Sequence, residues 1–236
     1  MGRPYSGPES LATTTRPPAQ RLRPAKTLGW VAIGLSILIL VGFATVRIAS
    51  MFADPPPTGS FEARYAQHQA VALLHLVPGL LFLGLGALQL MPRVRNRHLG
   101  FHRRLGRLLV ASALVSGVFG LAAAIALPAF GGVNTQVAVL FFGVLFLFAV
   151  TRAFVAIRRK QVQVHREWMI RAYALATGVA TVRVVLGPLI ALSGLDMEAV
   201  FGTSFWLGWS INLLVAEVWI NKTRVGARRP LPSTRS

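Results

Sequence analysis

Cysteine is absent, and acidic residues are scarce: seven Asp and Glu stand against 25 Lys and Arg in 236 residues. Without a thiol there is no disulfide, no thiolate metal site and no cysteine nucleophile, so a metal would need His or carboxylate ligands. No G-x-S-x-G elbow and no nucleotide-binding glycine loop occurs, which removes the commonest signatures of hydrolytic and phosphoryl chemistry. Charge of either sign is sparse at 14%, whereas 54% of the residues are hydrophobic and the mean hydropathy is +0.57. That balance excludes an ordinary soluble domain and predicts one all-α membrane bundle. A net charge of +18 would suit a nucleic-acid surface if the cations shared one face. They fall instead in the gaps between apolar segments, so no nucleic-acid partner is expected.

The apolar segments set the organisation. Residues 1–27 hold five prolines and five cations with few apolar side chains to offset the entropy of ordering, and read as a disordered basic tail. Six spans follow, at 28–50, 69–91, 105–127, 135–157, 168–193 and 202–220, and a second basic tail occupies 222–236. The first span is longer than a signal-peptide core, which favours an uncleaved helix. Pro55-Pro56-Pro57 then forces a loop, while Pro78 and Pro188 interrupt the second and fifth spans and predict kinks. Such paired breaks also occur in transporters, which keeps a small-solute transporter as a weaker alternative.

Orientation follows from the alternate gaps. One side receives the N-terminal tail, the run PRVRNRHLGFHRRLGR from Pro92 to Arg107, the group Arg158-Arg159-Lys160 with Arg166, and the C-terminal tail. The other side receives Arg64, with Arg47 at its border, and four of the seven acids. Cytoplasmic loops carry the excess of Lys and Arg, so both termini are expected inside, in a bacterial inner membrane, with the basic loops on anionic lipid headgroups.

Polar residues within the spans are the costly ones, at roughly 2.5 to 3.5 kcal/mol for a charge at a helix centre. Arg171 and Glu217 lie at a similar depth, ~7 Å from the cytoplasmic edge, and are expected to pair. Arg152 is expected to snorkel to the headgroups or to compete for Glu217. Asn212 should bond between helices, and Gln89 closes the second span. Arg183 has no acid at its depth; it is expected to snorkel, to bond the Val184 carbonyl that Pro188 leaves unpaired, or to meet an anionic group such as a lipid phosphate or a haem propionate.

His102 and His165 open the third and fifth spans, each above a run of mostly small residues: Gly106, Ala113, Ser116 and Gly120 for one, Ala172 and Ala176 for the other. A flat macrocycle between helices would use that pattern, with the imidazoles as axial ligands of haem b, and so would close helix packing. His75 lies on the outer side, ~10 Å along the helix from His68 and too far to share a metal ion with it.

Together the motifs are H-x-x-x-G at His75 to Gly79, Gln89, H-R-R-L-G at His102 to Gly106, H-R-E-W-M-I-R-A-Y-A-L at His165 to Leu175, Arg183, and N-L-L-V-A-E at Asn212 to Glu217. They resemble the bacterial family of predicted multipass membrane proteins catalogued as domain of unknown function 2306, over about Phe61 to Ile220. That resemblance implies architecture and no established activity. A looser likeness is to the transmembrane dihaem cytochromes b, whose paired histidines hold haem near each face. Here the fourth span has no His, so His75 lacks a second ligand and one haem, on His102 and His165, is the most the residues allow. The expectation is therefore an integral membrane protein without a catalytic motif. Its alternative is a haem-bearing electron carrier, which would need a redox partner.

Overall fold

The computed structural model describes residues 18–52, 65, 67–127 and 129–224. Seven helices and no strands are found among them: α1 Pro18–Phe52, α2 Gln69–Leu90, α3 Pro92–Arg97, α4 Leu99–Ala126, α5 Gly132–Arg158, α6 Val162–Ser193 and α7 Met197–Thr223. Six are long and apolar enough to cross a bilayer, and α3 is the short exception. The expected tail over 1–17, the Pro-rich loop at 55–57 and the C-terminal tail beyond Arg224 lie outside the described residues.

Helix boundaries reach further than the apolar runs. Residues 18–27, expected as tail, continue α1; Pro18 opens it with a φ suited to a first helical turn, and Ala, Gln, Arg and Leu follow, all good helix formers. The basic run is helical in two pieces, α3 and the start of α4, hinged at His98, whose φ of −131° and ψ of 57° break the ladder. Helix α6 begins six residues ahead of its expected span and α7 ends three beyond, so both project polar turns past the apolar layer. Both α2 and α6 run as helix through their internal prolines. Gly194, at a φ of 67°, takes the left-handed position that ends α6, its amide donating to Ile190 O.

The most extensive packing joins α6 to α7 and α2 to α4; α5 packs against α4, α6 and α7. Helix α1 is peripheral and touches α2 and α6 alone among the spans. Helices α4 and α6 lie across the bundle from each other without close backbone approach. Phe82, Phe142, Tyr173 and Trp209 fill the centre, flanked by fully buried Ala113, Ala138, Ala149 and Ala172. Large apolar side chains face outward along the spans, Leu38 and Leu192 among them at 69% and 88% exposed, as a lipid solvent requires.

Small residues set the closest approaches. A Cβ on Gly208 of α7 would stand 2.7 Å from the Val182 backbone nitrogen of α6, and one on Gly79 of α2 would stand 2.8 Å from Ser116 Oγ of α4. Around Gly34 of α1 there is open space. Gly208→Ala is therefore expected to destabilise the detergent-solubilised protein by about 1 to 3 kcal/mol, the range for forced overpacking. Gly34→Ala should leave its thermal unfolding temperature unchanged or slightly raised.

Candidate functional site

The end of the bundle formed by α3, the start of α4, the end of α5, the start of α6 and the end of α7 gathers the polar side chains. Arg171 clasps Glu217 with both edges of its guanidinium, Nε donating to Oε1 and Nη2 to Oε2, the latter at 2.9 Å. Its other face lies 4.6 Å from the centre of the Trp168 ring. One turn nearer the end, Arg224 repeats the arrangement on Glu167, at 3.0 and 2.9 Å, and Gln163 adds a third donor to that carboxylate. The Glu167 carboxylate holds the Arg224 guanidinium above its already high range. Arg166 donates through Nη2 to Thr223 Oγ1. The extended start of α6 is thus fastened to the extended end of α7, because both helices outrun their apolar segments.

Deeper along the same seam, Asn212 Nδ2 donates to Ala174 O at 3.0 Å and to Thr177 Oγ1 at 3.2 Å, while its Oδ1 accepts from Thr181. Trp209 Nε1 donates to Leu175 O. Arg152 is half-buried on α5 and bonded to neither oxygen of Glu217, both of which Arg171 occupies.

Arg183 differs from one of its expected placements. It donates to Val179 O at 2.8 Å, one turn behind it, and lies 4.4 Å from the Phe43 ring centre of α1. The Val184 carbonyl is not its acceptor. A helical side chain leans toward the helix N-terminus, which carries the guanidinium back toward Val179.

The histidines separate into two settings. His75 Nδ1 meets Ser116 O at 2.8 Å, Ser116 Oγ donates to His75 O at 2.7 Å, and the ring lies over Gly120. His75 therefore binds α2 to α4, and the small-residue face of α4 beneath His102 is occupied by α2 rather than left open to a macrocycle. His165 Nδ1 is held by Ala153 O of α5 at 2.9 Å, which leaves Nε2 unbonded by that contact. His102 Nδ1 is buried without a partner, as are both polar atoms of Gln89 and Nη1 of Arg166. His102 and His165 are within electrostatic reach of one another. Imidazole nitrogens can in general serve as axial ligands, and a haem on this pair would have to lie clear of the face of α4 that α2 fills. Among the described residues no group of three His or acidic side chains is placed to hold a metal ion.

Sequence reasoning did not single out Tyr173, Ser116, Glu167 or Arg224 as interhelical links. Tyr173 Oη donates to Leu83 O of α2 at 2.7 Å, and that hydroxyl within an apolar helix was the available signal. Glu167 was visible as an acid flanked by cations, but its partner lay in a segment read as tail.

Six long apolar helices with large apolar side chains facing outward define a polytopic integral membrane protein. The chain belongs to the family of predicted membrane proteins catalogued as domain of unknown function 2306, whose profile matches residues 72–220, from early α2 to near the end of α7. Helix α1, the peripheral one, lies outside the match. No curated protein and no solved structure matches the chain.

A double-mutant cycle on Arg171→Ala and Glu217→Ala is expected to give a coupling of about 1 to 3 kcal/mol in thermal unfolding, as for a pair in direct contact. The same cycle on Arg152 and Glu217 should give a coupling near zero.

Proposed function

We propose that the chain is a non-catalytic integral component of the bacterial inner membrane, threaded with both termini and its basic connections on the cytoplasmic side, where they rest on anionic headgroups. The observation that supports this reading is the division of charge between the two ends. Arg93, Arg95, Arg97, Arg103, Arg104, Arg107, Arg158, Arg159, Lys160, Lys222 and Arg224 belong to one end, and Asp196 and Glu198 to the other. Cations near an anionic leaflet contribute about 1 kcal/mol each. The threading is open to a direct test because the chain has no native thiol. In spheroplasts a membrane-impermeant maleimide is expected to label Asp196→Cys and to leave Asn96→Cys and Gln161→Cys unlabelled until the membrane is opened; the reverse pattern overturns the reading.

A second reading, a b-type haem carrier with His102 and His165 as axial ligands, is favoured by one arrangement: two imidazoles at the same end within electrostatic reach of each other, one with its Nδ1 already fixed by a carbonyl. The two readings differ in the visible spectrum. The non-catalytic reading predicts no Soret band in protein purified from haem-supplemented cells, before or after dithionite. A Soret band that His102→Ala removes replaces it with the haem reading.

A further inference from the structure

At the basic end of the bundle α1 and α3 stand apart. Helix α3 packs on α2 and α4, and α1 on α2 and α6, so neither closes on the other. An open cleft of about 620 Å³ lies between them, lined by Trp30 of α1, by Met91, and by Pro92, Arg93, Asn96 and Arg97 of α3. Its walls are largely apolar, yet they carry cations. Arg93 and Arg97 are four residues apart and share one face of α3, and Lys26 precedes Trp30 by one turn on the same side of α1. All three cations are exposed and form no hydrogen bond, ion pair or ring contact among the described residues. Asn96 accepts from Arg95 Nε at 3.4 Å through Oδ1, which leaves its Nδ2 free to donate.

The sign and depth of the cleft narrow its occupant. No Asp or Glu occurs in α1 or anywhere between residues 63 and 166, so neither wall supplies a counter-charge. Glu167 and Glu217 are already clasped by Arg224 and Arg171. The apolar part of α1 starts at Lys26 and that of α2 ends at Leu90. Trp30 and Met91 therefore border the apolar layer, where tryptophan is favoured, and α3 lies just beyond it. A free small anion would use the cations and leave the apolar wall idle, whereas a phospholipid offers a phosphate and an acyl chain together. We propose that the cleft between α1 and α3 holds one anionic phospholipid. Its phosphate oxygens accept from Arg93, Arg97 and Asn96 Nδ2, and the first carbons of an acyl chain lie on Trp30 and Met91. The lipid joins the peripheral helix to the basic connection where no protein contact does. The site deepens, and rests on, the reading of this end as one that sits among anionic headgroups.

The test is native mass spectrometry of the full chain released from neutral detergent, with phosphatidylglycerol or phosphatidylcholine titrated into the micelles. One phosphatidylglycerol is expected to stay bound under conditions that strip phosphatidylcholine. The double variant Arg93→Gln with Arg97→Gln should weaken its apparent affinity by about tenfold or more, the loss of charge-assisted hydrogen bonds. Trp30→Ala should weaken it too, an effect that binding through charge alone does not produce. Removing two cations from another connection, Arg158→Gln with Arg159→Gln, should leave it unchanged. The proposal is overturned if phosphatidylglycerol is retained no better than phosphatidylcholine, if the Arg158 and Arg159 variant loses as much affinity as the Arg93 and Arg97 variant, or if Trp30→Ala binds as wild type does. The threading is read separately by maleimide labelling, so the site can fail while the reading of the basic end stands.

Discussion

A helix in lipid gains little hydrophobic free energy by exchanging lipid for another leucine, so the bundle depends on close packing and on the few polar side chains that reach across from one helix to the next. The seam between α6 and α7 carries most of them. Asn212 ties the Ala174 carbonyl and two threonine hydroxyls, Trp209 ties the Leu175 carbonyl, Arg171 holds Glu217, and Arg224 holds Glu167. Every other packed pair has fewer links: Gln69 to the Met51 carbonyl for α1 and α2, His75 with Ser116 for α2 and α4, Gln136 to the Ala124 carbonyl for α4 and α5, His165 to the Ala153 carbonyl for α5 and α6. Tyr173 adds one between α6 and α2. Helix α6 is the hub of this network, touching α1, α2, α5 and α7.

That arrangement explains the roles of the small residues. Hydrogen bonds of this kind need helices close enough for short side chains to span them, and glycine and alanine allow the approach. Gly79 beside Ser116, Gly120 beneath His75, and Gly208 against the Val182 backbone are among the points of close contact. The run of small residues below His102 serves the α2–α4 contact, and His75 and Gln89 project into it.

The six spans were legible because hydropathy reads directly the property that lipid selects, and α2 matches its expected limits within a residue. The Arg171–Glu217 contact was legible because both charges sit at equal depth on neighbouring spans, where an unpaired charge is costly. Less was visible at the helix ends. Hydropathy stops where apolar residues stop, whereas the helices continue into polar turns at Val162 and Thr223, and the Glu167–Arg224 clasp exists only because they do. Of the placements open to Arg183, the Val184 carbonyl freed by Pro188 is not the one taken, because helix geometry sends the side chain backward to Val179 O. The unpaired atoms of Gln89 and Arg166 could not be read at all, since they depend on which side chains the packed helices bring within reach.

The most direct measurement is a side-chain-resolving density map of the full chain in a lipid nanodisc. The account predicts Arg171 clasping Glu217 and Asn212 on the Ala174 carbonyl within the lipid layer, with α6 in contact with α1, α2, α5 and α7. A map in which α6 and α7 are parted at Asn212, or in which Glu217 points away from Arg171 into the headgroups, would contradict it.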